Sequence, residues 1–138
     1  MQAFLQKLIA IFMSILAFLG LAKKQAHTAP PDSYTVNGSK VEFCLDSNPT
    51  TGYGWTARCD GDCVQLTGDE YVATKTDPQV AGAGGFQYYT FTAVKEGTAT
   101  VTFTYARSWE TNPPIRTVTA LITVAADLSV TVTDYREA

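Results

Sequence analysis

From Tyr34 onward the chain alternates apolar and polar residues with a period of two, and no stretch sustains the 3.6-residue spacing of an amphipathic helix. Val41, Phe43 and Leu45 alternate with Glu42, Cys44 and Asp46. Tyr53, Trp55 and Ala57 alternate with Gly54, Thr56 and Arg58, and Val101, Phe103 and Tyr105 alternate with Thr100, Thr102 and Thr104. Such a pattern sends one set of side chains to a core and the other to solvent, and the β-branched Thr and Val fit a pleated surface. Val64–Val72, Phe86–Val94 and Ile115–Val124 read as further strands, with a short first strand at Tyr34–Val36 and one more at Leu128–Tyr135. Asn37-Gly38 is a tight hairpin signal, and Lys95-Glu96-Gly97 is another short connection. Seven to eight strands in about 105 residues, with no helix, predict an all-β, two-layer sandwich.

Trp55 falls early in the third strand, where immunoglobulin-like sandwiches often bury a tryptophan. A large core residue explains it equally well. A hydrophobic fraction of 46 % against a charged fraction of 17 % excludes a wholly disordered chain. From His27 onward there are seven basic residues against thirteen acidic ones, the opposite of what a nucleic-acid binder needs. His27 is the one histidine, which removes His-based metal sites and Ser-His-Asp or Cys-His catalysis. There is no paired-carboxylate motif and no cofactor fingerprint, so no cofactor and no enzymatic activity are expected.

Leu8 to Ala22 is fifteen residues, apolar but for Ser14, preceded by Lys7. That length suits the apolar core of a secretory signal and is short for a membrane span. Gly20-Leu21-Ala22 offers small residues for cleavage, whereas Lys23 and Lys24 directly afterwards oppose export, so an uncleaved anchor is the alternative. Either way residues 1–22 are expected to place the domain outside the cytoplasm, with membrane contact only if the segment is retained. Residues 23–33 read as a polar linker, 34–124 as the sandwich domain, and 125–138 as an extension carrying one extra strand. Cys59-Asp60-Gly61-Asp62-Cys63 is a short turn that could close a local disulfide and leave Cys44 over; the alternative is three reduced thiols. Asp60 and Asp62 read as a solvated turn ahead of a calcium site.

If consecutive strands run in alternating directions, their connections fall at two ends. Asn37-Gly38, the Cys59–Cys63 turn and Lys95–Gly97 share one. The other holds three richer segments: Asp46–Tyr53, Thr76–Gly85, and Ala106–Pro114. A scaffold that gathers its loop chemistry at one end presents a binding surface there. In Asn48-Pro49-Thr50-Thr51-Gly52-Tyr53, Pro49 fixes φ and Gly52 permits φ > 0, so the loop is stiff. Gly82-Ala83-Gly84-Gly85 has no side chain beyond a methyl and can bring backbone against a partner; it lacks the helix and Lys of a phosphate cradle. Arg107-Ser108-Trp109 sets two residue types enriched at binding hot spots on a loop. Taken singly, each segment also reads blandly, as a turn, a linker and a folded-back Trp.

Together, and in this order, the three segments resemble the chagasin family of cysteine-peptidase inhibitors over roughly Tyr34 to Val124. The first motif is fairly specific; the other two gain weight from their company. The resemblance implies an immunoglobulin-like fold and tight, reversible inhibition of papain-like cysteine peptidases, with three loops wedged into the active-site cleft. It implies that Thr50 and Thr51 lie nearest the target's catalytic cysteine and that Gly82–Gly85 flanks one side. It further implies that Trp109, supported by Arg107, packs on aromatic groups of the primed side. The family has Pro between the Arg and the Trp; Ser108 stands there in this chain and is expected to loosen the third loop. The competing reading is a non-inhibitory immunoglobulin-like adhesion or ligand-binding module. A monomeric domain is expected in both cases.

Overall fold

The Thr- and Val-rich alternation does build strands. A computed structural model describes residues 27–74 and 84–138. Among them run β1 (Ser33–Asn37), β2 (Lys40–Ser47), β3 (Tyr53–Asp60), β4 (Val64–Ala73), β5 (Gly85–Ala93), β6 (Gly97–Arg107), β7 (Arg116–Val124) and β8 (Val130–Glu137), with one 3₁₀ turn at Pro49–Thr51. The segment read as a signal or anchor, the start of the linker, and Gly82 and Ala83 lie outside the described residues.

The strands form two four-stranded antiparallel sheets, ordered β1-β2-β5-β4 and β3-β6-β7-β8. The first seven strands carry the constant-type immunoglobulin partition, and β8 extends the second sheet beyond β7. Alternation assigns the inner faces correctly. Val41, Phe43, Leu45, Val101, Phe103, Val118 and Ile122 are each at most 2 % exposed. Phe43, Phe91 and Phe103 meet at the centre, with ring centroids 5.0–6.3 Å apart in edge and tilted contacts. The buried Tyr89 hydroxyl donates to the Trp55 carbonyl at 3.0 Å, so its polar tip in the core is satisfied.

The extension contributes to this core. Tyr135 of β8 lies 5.2 Å from Tyr34 of β1 and stacks on Phe43 at 6.1 Å, bridging the two sheets where they would otherwise gape. Arg116 at the start of β7 reinforces the same seam, with a bidentate pair to Glu137 at 2.7 Å and a further bond to Asp32 at 3.1 Å. The Glu137 carboxyl is held below its usual range by that guanidinium.

Two expectations change. From His27 onward the supposed linker is a strap laid on the outer face of the first sheet. The His27 ring stacks on Tyr88 at 3.8 Å; its Nδ1 is 2.7 Å from Glu42 and its Nε2 2.9 Å from Glu70. The backbone N–H groups of Thr28 and Ala29 both donate to Glu42 Oε1. A neutral imidazole carries one N–H, so two carboxylate partners require the cation. Burial works against that cation, but the bonds to Glu42 and Glu70 outweigh it and raise the His27 pKa. The strap also explains Cys44, which alternation sends to the polar face. It is fully buried, its thiol set against Tyr88 and the Asp32 backbone.

The second change concerns the cysteines: no Cys59–Cys63 disulfide forms, and all three thiols are free. Cys59 faces solvent with its Sγ 3.6 Å from the Gly61 carbonyl oxygen, whereas Cys63 sinks into the core. Burial pushes both thiols up, so neither is an activated nucleophile. In the same turn Asp62 pairs with Lys95 at 2.6 Å.

Candidate functional site

Antiparallel order sorts the connections as alternation suggests. At one pole the turns are joined by backbone bonds: Val130 N–H to Gly38 O at 2.9 Å, Ala93 N–H to Ser39 O and Val94 N–H to Cys63 O, each at 2.8 Å. The opposite pole carries Asp46–Tyr53, Gly84-Gly85 and Ala106–Pro114.

The first loop, Asn48–Tyr53, builds itself. Asn48 caps the 3₁₀ turn, its Oδ1 accepting from the Thr50 N–H at 3.2 Å and the Thr50 hydroxyl at 2.6 Å. Thr51 donates its N–H and its hydroxyl back to the Asn48 carbonyl, at 3.2 and 2.6 Å. Pro49 opens the turn and accepts from the Gly52 N–H at 3.0 Å, and Gly52 closes it at φ 84°. Both threonine hydroxyls are therefore spent on loop shape. The loop is tied down from below, because the Tyr105 hydroxyl, sitting on the core side of β6, accepts from Asn48 N–H at 2.9 Å. Trp55 fulfils the core reading: it is 8 % exposed, and its Nε1–H donates to the Asp46 carbonyl at 2.9 Å beneath the loop.

The third connection, between β6 and β7, grips the first. Arg107 Nε–H donates to the Thr51 carbonyl at 3.1 Å, and the guanidinium lies 4.4 Å over the Tyr53 ring. Its Nη1 reaches Glu110 at 3.1 Å, and Glu110 N–H closes a turn onto the Arg107 carbonyl at 3.2 Å. Asn112 Nδ2 holds the other Glu110 oxygen at 3.2 Å. These bonds brace the connection in which Ser108 stands. Trp109 is 68 % exposed. Its six-membered ring lies over Gly52: a Cβ there would overlap Cη2 and sit 2.8 Å from Cζ2. The glycine supplies the left-handed turn and also the seat for the indole.

Of the second loop, Gly84 is placed against the first. A Cβ on Gly84 would come within 3.0 Å of the Ser47 carbonyl oxygen and 3.5 Å of Asn48 Cβ. Gly85 is the first residue of β5, paired with Ser47 on one side and Ala73 on the other, and its lack of a side chain lets the Val72 carbonyl pass. Asn48, Gly52, Gly84, Arg107 and Trp109 thus form one contiguous surface. Sequence reasoning did not foresee the latch from Arg107 to Thr51, nor Glu110 as its second arm; an Arg and a Glu three residues apart on one loop is the signal that was available.

The family model for chagasin family peptidase inhibitor I42 matches residues 35–124. The chain is 34 % identical over 88 residues to Amoebiasin-1 of Entamoeba histolytica, covering 63 % of this chain and 83 % of that protein. It is 34 % identical over 77 residues to Chagasin of Trypanosoma cruzi, covering 52 % and 68 %. Among solved structures it is similar to the cysteine protease inhibitor EhICP2 from Entamoeba histolytica, with a TM-score of 0.57 at 26 % identity, covering 62 % of this chain and 78 % of the other.

Proposed function

The chain belongs to the chagasin family of peptidase inhibitors, and on that premise we propose that it is a reversible, tight-binding inhibitor of papain-like cysteine peptidases. The observation that carries the proposal is the single pole at which Trp109 rests on Gly52, Arg107 grips Thr51, and Gly84 abuts Asn48. Inhibition is by occlusion. A peptidase cleft takes its substrate extended, whereas Pro49–Thr51 is a 3₁₀ turn whose backbone and side chains are already bonded to Asn48 and Pro49. Such a tip fills the cleft without laying a peptide bond along the line of attack. Thr50 and Thr51 face the catalytic cysteine, Gly82–Gly85 flanks the cleft on one side, and Trp109 anchors the primed side.

A contact of this kind buries about 1,600 Å² in total, but area alone does not set its strength. The loop loses little entropy on docking because its hydrogen bonds pre-exist, and the exposed indole supplies a hot spot. The domain works outside the cytoplasm, a placement supported by the apolar run of residues 8–22. Titration of the soluble domain, from His27 onward, against papain tests the proposal. Stoichiometric inhibition is expected, and none at micromolar excess refutes it. Trp109→Ala is expected to weaken inhibition by about 2 kcal/mol or more with the fold intact. An unchanged inhibition constant would show that the indole is no anchor.

A further inference from the structure

Trp109 has an apolar companion on the same connection. Ile115 is 58 % exposed, second only to Trp109 among the large apolar residues described. Its backbone is tied to β6, because its N–H donates to the Tyr105 carbonyl at 2.9 Å just ahead of the start of β7 at Arg116.

Along β7, Val118, Ala120, Ile122 and Val124 point into the core while Thr117, Thr119, Leu121 and Thr123 face outward, and Ile115 stands exposed immediately ahead of this strand. The outer face is a threonine surface: Thr56 and Thr104 hydrogen-bond across it at 2.7 Å, one row in from the loops. Position 115 is exposed and lies outside β7, so a threonine would serve there as well, and the neighbouring Pro113 and Pro114 are exposed too.

We propose that Ile115 is a second apolar anchor of the third loop, received by an apolar side chain on the rim of the target's cleft, and that it sets which papain-like peptidases are held tightest. The proposal rests on the inhibitor reading given above. Its basis is continuity: Ile115 and Trp109 close the two ends of one braced connection at the docking pole. A rim contact lies away from the catalytic groups that such peptidases share, so it discriminates among them where the central wedge does not.

The test uses the wild-type domain, Ile115→Thr and Ile115→Asp, each titrated against papain and two other papain-like peptidases, with thermal unfolding followed in parallel. Threonine keeps both the branched Cβ and the backbone N–H, so its unfolding temperature is expected to match the wild type. Ile115→Thr should raise the inhibition constant by about tenfold for at least one peptidase. The factor should be unequal across the three, and Ile115→Asp should raise it further. Inhibition constants within twofold of wild type on every peptidase that the wild type inhibits would overturn this proposal and leave the inhibitor reading standing. A wild type that inhibits none of them would overturn both.

Discussion

Replacing Gly52 with alanine separates the two tasks that this glycine performs. The backbone there sits at φ 84°, where a Cβ adds about 1–2 kcal/mol of strain. The same atom would also overlap the indole of Trp109, so the ring must leave its seat. Gly38 provides the control, since its φ is 61° and a Cβ there meets nothing within 4 Å. Gly38→Ala should therefore show the backbone strain alone, at the pole away from the loops. We expect both variants to lose about 1–2 kcal/mol in urea unfolding. Only Gly52→Ala should lose inhibition, by about 30-fold, the equivalent of forfeiting an anchor worth about 2 kcal/mol. In a Trp109→Ala background the clash has no partner, and Gly52→Ala should then change the inhibition constant little. An inhibition constant for Gly52→Ala within threefold of wild type would refute the seat. So would effects of the two substitutions that simply add.

Two further outcomes are expected. The His27 pKa is raised in the folded state, so the stability it brings is fully present below about 6.5 and is lost as pH rises through the folded value. Burial works to raise the Glu42 carboxyl, but its bonds to His27 and to the Ala29 and Thr28 N–H groups outweigh that and shift it down, so it stays charged to lower pH than an ordinary glutamate. His27→Ala should therefore destabilise the domain more at pH 5.5 than at pH 9 in urea titrations; an equal loss at both would show that the strap is not held by the imidazolium. Tyr135→Ala removes the ring that spans Tyr34 and Phe43, and should lower unfolding free energy by about 2 kcal/mol, less than the loss at a fully buried aromatic site. Urea unfolding with an unchanged midpoint would mean that β8 is only laid on the sandwich.

Much of this architecture was legible in the sequence, for a physical reason. Strands with one face buried must alternate, and Val41–Leu45 and Val101–Tyr105 do so without ambiguity. Antiparallel order then gathers the loops into two groups by arithmetic alone. What alternation cannot tell is what covers an outer face. Cys44 was assigned to solvent because the strap that buries it comes from residues 27–32, whose Pro- and polar-rich composition looks like a linker. The strap holds through one histidine between two glutamates 15 and 43 residues distant, a long-range coincidence with no local pattern. The Cys59–Cys63 pairing failed similarly, since proximity in sequence says nothing of which thiol enters the core. The three loop segments were found by their composition. The contacts that make them one surface, indole on glycine and guanidinium on carbonyl, belong to the fold.

The direction of β8 bears on how the molecule can be handled. β8 runs antiparallel to β7, and its end is stitched down by the Ala138 N–H donating to the Thr117 carbonyl at 2.9 Å. The last residue therefore emerges beside the indole-bearing connection, on the working side. A bulky fusion placed after Ala138 would stand in the doorway of any enzyme arriving there, whereas one joined ahead of His27 would trail from the flank of the opposite sheet.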